Sequence, residues 1–269
     1  MPVMLGKSVD PLGPDPNSSV VKIPEIEYHG DILRTVTSMI LHKQVAVRML
    51  GKLFIMSPNI RLERAERRGS GRHLFEFTQA DFEIAHAKMG DVVSLVEGYY
   101  VGLTPYLGKE AAEQFRVLGI EPFEFRAPFK RHFTWDLEKE YGKDWETPSS
   151  LAEQQPFWAI SHKREFYDKE DPSRPGTYLN YDVIYPAGYG EGLSGAEREH
   201  EHAVLHKKIK EHDIGMNKYK AYLEHAKRGF IPSAGAGIGM ERLARFMTKS
   251  RHVSEVTLFK RVPGVPVNL

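Results

Sequence analysis

Cysteine is missing from all 269 positions of the sequence, which excludes disulfides, thiolate-held metals and any mechanism built on a cysteine nucleophile. No run comes near the ~18 uninterrupted apolar residues of a membrane span, and Met1 to Asp10 carries neither a basic flank ahead of an apolar stretch nor a cleavage pattern. The expectation is a cytoplasmic protein with no membrane partner. An excess of charge of one sign is lacking too. Thirty-seven Lys and Arg face 36 Asp and Glu, a formal +1, so the chain as a whole gives no electrostatic reason to expect nucleic acid as a partner. The sequence also shows no internal repeat and no low-complexity tract.

Apolar residues at 41% and charged residues at 27%, with 23 Gly and 17 Pro dispersed among them, describe a globular chain whose length suits a single core, so one domain over 1–269 is expected. Residues 1–30 read as an extended entry segment, since Pro at 2, 11, 14, 16 and 24 cannot be held in a helix. Ser38 to Leu50 is of helix length and is terminated by Gly51; Lys52 to Glu63 is rich in strand formers. Arg64 to Gly71 is a polar loop before a second long strand, Arg72 to Ala85. Asp91 to Leu107 reads as a helix, whereas Gly108 to Ser150 shows little beyond short aromatic pieces such as Arg131 to Trp135. Further strands are expected at Pro156 to Ser161, Tyr178 to Tyr185 and Pro232 to Gly237, and helices at Gly195 to Glu211, Asn217 to Lys227 and Met240 to Thr248. Strands and helices do not alternate regularly, so the expected class is α+β, an antiparallel sheet flanked by helices.

Side chains of a strand alternate between faces, so His73, Phe75, Phe77, Gln79, Asp81 and Glu83 share one side, and Leu74, Glu76, Thr78, Ala80, Phe82 and Ile84 the other. The second set suits a core. The first sets aromatic rings beside an amide and carboxylates, and a hairpin with the preceding strand would add Arg61 and Glu63 to the same face. The same pattern also describes the solvated side of an ordinary antiparallel sheet.

Near the C-terminus, Gly235, Gly237 and Gly239 alternate ahead of a helix bearing Arg242, a spacing that lets backbone or ligand approach closely. The stretch is a poor dinucleotide fingerprint, because only 30 residues follow Gly239. Gly6-Lys7-Ser8 resembles only the tail of a P-loop. Ser194 stands three residues before Glu197, a capping box that predicts a helix from Gly195. Arg198 would then lie in the first turn, where a cation opposes the helix dipole and needs another partner, an intramolecular carboxylate or a bound one. His200, His202 and His206 lack a metal-binding spacing, and a solvated helix face describes them better.

Taken together, IRLE (Ile60 to Glu63), RHLFEFTQADFE (Arg72 to Glu83), YGEGLSGAEREHE (Tyr189 to Glu201) and GAGIGMERL (Gly235 to Leu243) resemble, in order, the catalytic core of class II aminoacyl-tRNA synthetases of the aspartyl/asparaginyl branch. SMILHKQ, MSPNIRLE, REFYD (Arg164 to Asp168), PSAGAGIG and RVPGVP look most like the archaeal asparagine synthetases related to asparaginyl-tRNA synthetase, which lack an anticodon-binding domain. The resemblance implies ATP and Mg²⁺ as cofactors. It assigns Arg61 and Arg242 as catalytic residues on the α- and γ-phosphate ends, Phe77 as the ring under adenine, Glu63 near adenine, His73 near the terminal phosphates and Glu191 as the metal ligand. Ser38, Lys43, Gln79, Asp81 and Arg198 would surround aspartate, with Ile40 replacing a glutamine that helps hold the substrate ammonium in aspartyl enzymes. A homodimer is implied, although motif 1 is represented only by its final piece around Pro2.

The implied reaction is an AMP-forming aspartate–ammonia ligation: aspartate becomes an adenylate and ammonia releases asparagine. With no cysteine for a built-in glutaminase, the nitrogen must come as free ammonia or from another protein. The alternatives are a paralogue that transfers the activated amino acid to tRNA or protein, and a non-catalytic amino-acid sensor.

Overall fold

The two strand-forming runs that the alternation singles out pair with each other at one edge of a seven-stranded sheet. The computed structural model describes residues 4–5, 20–162, 165–211 and 215–267. Its strands are β1 (Met4–Leu5), β2 (Val20–Lys22), β3 (Glu25–Tyr28), β4 (Asp31–Thr35), β5 (Lys52–Ile60), β6 (Leu62–Glu63), β7 (Glu76–Ala85), β8 (Lys130–Phe133), β9 (Phe157–Ile160), β10 (Asn180–Tyr185), β11 (Gly190–Glu197) and β12 (Ser233–Gly239). Its α-helices are α1 (Ile40–Leu50), α2 (Met89–Glu110), α3 (Ala112–Leu118), α4 (Thr134–Tyr141), α5 (Glu146–Ala152), α6 (His202–Glu211), α7 (Lys220–Lys227) and α8 (Met240–Met247).

The large sheet runs β5-β7-β12-β11-β10-β9-β8. Every pairing in it is antiparallel except the edge pair β8–β9, which is parallel. The class is thus α+β, as expected. On the back face, Trp158, Tyr181, Val183, Tyr185, Leu193 and Ala236 pack with Val92, Val96 and Tyr100 of α2 and Phe246 of α8. Fully burying one such large side chain is worth roughly 1.5–3 kcal/mol, so this layer dominates the fold. The front face is walled by α1 and by a second apolar cluster. There Leu41 of α1 meets Phe166 and Tyr167, together with Leu205, Ile209 and Tyr222 of α6 and α7. That cluster ties α1 and the segment at 165–168 to the same support.

Several expectations need correction. The capping box does not start a helix at Gly195: Gly190–Glu197 is strand β11, hydrogen-bonded on both sides to β10 and β12, and the helix begins at His202. Two sheet ladders outweigh one local capping signal. Glu197 instead accepts from Met89 N at 2.8 Å, at the start of α2. The loop at 64–71 holds a 3-10 turn over Ala65–Ser70, and the second long strand begins only at Glu76. The poorly patterned stretch at 108–150 contains α3, β8, α4 and the start of α5. At the end of the entry segment, β3 pairs with β4 just beyond it in a hairpin whose turn residues His29 and Gly30 have φ of 50° and 79°, the left-handed pair a two-residue hairpin requires. Pro2, Gly6-Lys7-Ser8 and Arg164 lie outside the described residues.

Candidate active site

Register decides which side chains meet. Ile55 lies opposite Asp81, Ser57 opposite Gln79 and Asn59 opposite Phe77, while Ala80, Phe82 and Ile84 pack on the core side. The polar set on β7 therefore occupies the front face. Against it stands β12, with Gly235 opposite Glu83, Gly237 opposite Asp81 and Gly239 opposite Gln79. A β-carbon at Gly235 would lie 2.2 Å from Glu83 Oε2, so the glycines leave room for these carboxylates to lie across the neighbouring strand.

A cavity of about 180 Å³ opens on this face. Ser38, Lys43, Gln79, Asp81 and Arg198, the five residues expected around the amino acid, all line it, joined by Arg61 and Glu191. Lys43 is buried, and its Nζ donates to Asp81 Oδ1 at 2.7 Å and to the carbonyls of Phe82 and Ala236 at 3.3 and 3.2 Å. The other oxygen, Asp81 Oδ2, is buried without a hydrogen-bond partner. It is an acceptor beside a cavity whose position 40 is the apolar Ile40.

Arg198 does not sit in a helix. It follows β11 and bridges to Asp168, and its carboxylate partner is intramolecular: Nε and Nη2 each lie 3.2 Å from Glu83. Burial alone would favour a neutral guanidine, but the Glu83 carboxylate outweighs it and holds Arg198 charged above its ordinary range. Asp168 in turn accepts from Asn180 Nδ2 at 2.7 Å, and its carbonyl accepts from the buried Lys208 at 2.7 Å.

Of the remaining predicted residues, Glu63, His73, Phe77 and Arg242 are not part of the cavity lining but contact or neighbour residues that are. The Arg61 guanidinium stands over the half-buried Phe77 ring at 5.0 Å, and its Nε donates to the Thr37 carbonyl at 3.0 Å. His73 Nε2 lies 3.9 Å from Glu63. This is no ion pair, because burial and the nearby Arg242 and Arg72 push the His73 pKa down to about 2. Arg242 Nη1 donates to the Glu191 carbonyl at 3.0 Å and lies 3.3 Å from its carboxylate.

Glu191 is the expected metal ligand. Among the described residues no group of three or more His, Cys, Asp or Glu could hold an ion. A single hard carboxylate, partly exposed on the rim of the cavity, still fits Mg²⁺, which commonly takes one or two carboxylates together with nucleotide phosphates.

Two contributors were not visible in the sequence, and for a third only the partner was hidden. Glu146 of α5 makes a two-point ion pair with Arg72 and accepts from Glu191 N at 2.7 Å. Burial would raise its pKa, but Arg72 overrides this and keeps the carboxyl below its usual range. Glu241 accepts from Thr78 N through both oxygens, at 2.9 and 3.0 Å, and so ties α8 to β7. Glu83 was on the polar face of the alternation pattern, yet nothing in that pattern named Arg198 as its partner.

An antiparallel sheet flanked by helices, with a polar cavity on its front face, is the class II tRNA synthetase-like fold, and the family match agrees. A sequence profile of the family "tRNA synthetases class II (D, K and N)" matches residues 19–263, and the chain belongs to that family. Among curated relatives, the asparagine–tRNA ligase of Pyrococcus abyssi is 31% identical over 265 residues, covering 89% of this chain and 59% of the relative. That of Lactobacillus gasseri is 28% identical over 257 residues, covering 88% and 59%. The chain therefore spans about three fifths of the length of these relatives. Among solved structures, asparaginyl-tRNA synthetase from Pyrococcus horikoshii complexed with asparaginyl-adenylate superposes with a TM-score of 0.84 at 24% identity, over 99% of this chain and 63% of the other. Aspartyl-tRNA synthetase from Entamoeba histolytica superposes with a TM-score of 0.76 at 26% identity, over 87% and 53%. The relatives named are tRNA ligases. They back a tRNA-ligase-like paralogue better than the aspartate–ammonia ligase that the motifs suggested.

Proposed function

We propose that this chain uses ATP to activate aspartate or asparagine as an aminoacyl-adenylate and passes the acyl group to an acceptor, in the manner of the tRNA ligases it resembles. The observation that carries this reading is the contact of Phe77 with Arg61, which itself lines the cavity that holds Asp81, Lys43 and Arg198.

In the reaction a carboxylate oxygen of the amino acid forms a bond to the α-phosphorus as the bond to pyrophosphate breaks. Arg61 neutralises the charge that gathers on the α-phosphate oxygens, while Arg242 binds the departing end. The work of the side chains is positioning and electrostatics, with no covalent step on the protein. Glu191 would hold Mg²⁺, which when bound supplies further neutralisation of phosphate oxygens. Asp81 Oδ2 offers the acceptor that the substrate ammonium needs, a contact that Ile40 cannot make. In the cavity lining Lys43 and Arg198 are each countered by a carboxylate, Asp81 and Glu83. That pairing admits an asparagine carboxamide without leaving a charge uncompensated.

A second reading, amidation of aspartate by ammonia, is favoured by the presence of two cations, Lys43 and Arg198, on the lining of the same cavity. The two readings differ in chemistry. Transfer to tRNA requires the α-carboxylate to be activated, and asparagine synthesis requires the side-chain carboxylate. Amino-acid-dependent ATP–pyrophosphate exchange tests adenylation itself. Hydroxylamine trapping then separates the acceptors: an α-hydroxamate supports transfer, a β-hydroxamate from aspartate supports amidation, and no exchange with either amino acid refutes both.

A further inference from the structure

We propose that Asn59 is a positioning residue that sets the hydrogen-bonding polarity of the amino-acid cavity through Gln79. The inference rests on the activation reading for its substrate, but its geometry does not.

Asn59 is completely buried on β5 and does not line the cavity. Its Nδ2 donates to the Ser57 backbone carbonyl at 3.0 Å and to Gln79 Oε1 at 3.1 Å. A backbone carbonyl can only accept, so the end of the Asn59 amide that faces it must be the NH₂ group. The second hydrogen of that group then faces Gln79, and the Gln79 atom opposite it must be the oxygen. Gln79 Nε2 is thereby turned the other way, toward β12, where a β-carbon at Gly237 would lie 3.0 Å from it. The fixed carbonyl of Ser57 thus determines, through two amides, that Gln79 presents N–H donors to a cavity it shares with Asp81.

Two observations argue that Asn59 is more than packing. Its own Oδ1 is buried without a hydrogen-bond partner, a cost that an aliphatic side chain of similar size would not carry. Gln79, facing β12 where Gly237 leaves space, would otherwise be able to rotate its amide. The consequence is a cavity with a donor at Gln79 and an anionic acceptor at Asp81, side by side on β7. Such a surface takes the carboxylate or carboxamide oxygen of an amino acid at Gln79 and its ammonium at Asp81. It rejects the reversed orientation.

The test uses the whole chain and the variants N59D, N59A and Q79A, with calorimetric titration of aspartate and of asparagine and, separately, ATP–pyrophosphate exchange. In N59D the new carboxylate can only accept, so it draws Gln79 Nε2 toward itself and turns Oε1 to the cavity. Amino-acid affinity should fall at least tenfold while the KM for ATP stays within twofold. N59A, which frees the Gln79 amide without reversing it, should show a smaller loss. In the Q79A background neither change at 59 should weaken binding further, since residues acting through one another are not additive. Unchanged amino-acid affinity in N59D, an equal rise in the KM for ATP, additive losses with Q79A, or loss of the fold in both variants at 59 would each overturn the proposal. Wild-type protein that binds an amino acid but supports no exchange would overturn the activation reading and leave this one standing. Wild-type protein that binds neither would overturn both.

Discussion

Gly237 stands directly across from Asp81 in the β7–β12 ladder, and a β-carbon there would come within 2.8 Å of Asp81 Oδ1 and 3.0 Å of Gln79 Nε2. The smallest possible side chain on one strand is what allows two polar groups on the next to lie flat at the cavity floor. Gly237→Ala should displace both. The KM for the amino acid should rise about tenfold, roughly 1.4 kcal/mol of binding, with the KM for ATP little changed. Equal effects on both substrates in the exchange assay would contradict this placement.

Arg61 lines the cavity and lies over Phe77, and in the proposed reaction its loss should be felt in the chemical step. Arg61→Ala is expected to lower kcat/KM for pyrophosphate exchange by about 10³-fold, on the order of 4 kcal/mol of transition-state stabilisation. Thermal unfolding should move little, because the side chain is only half-buried. Exchange at the wild-type rate would remove Arg61 from the mechanism.

The Arg198–Glu83 pair is a stability element as well as a wall of the cavity. Both side chains are almost wholly buried, and removing one partner leaves the other charge uncompensated. Arg198→Ala should cost about 3–5 kcal/mol in denaturant unfolding, and Glu83→Ala a similar amount. A loss below about 1 kcal/mol in either variant would show that the pair is relieved by water.

His73 makes a pH prediction whose sign follows from its displacement. Its folded pKa of about 2 lies below the ordinary value of 6.5, so as pH falls the unfolded chain takes up a proton that the folded chain refuses. The stability associated with neutral His73 is complete above pH 6.5 and is lost progressively below it, at roughly 1.4 kcal/mol per pH unit at most. Between pH 7.5 and 5.5 the wild type should lose about 1 kcal/mol more than His73→Gln in parallel urea titrations. Equal losses would mean that His73 is solvated.

The sequence alone determined which residues of 76–85 face one way. The two-residue period of a strand is a property of the chain itself, and Phe77, Gln79, Asp81 and Glu83 needed no tertiary information to be placed together. It likewise determined the α1 position of Lys43 and the run of alternate glycines at 235–239. What it could not determine was who meets whom at long range. Ser194 and Glu197 carry a local helix signal, yet β10 and β12 bind that segment from both sides and make it a strand, which moves Arg198 out of a helix and onto Glu83. Glu146 and Arg72 are 74 residues apart, and no local pattern announces a pair of that separation. The polarity of Gln79 was equally hidden, because it is set by a backbone carbonyl through a buried amide on another strand. Local periodicity chooses a face, whereas sheet register and burial choose the partners on it, and the chemistry of this site depends on the partners.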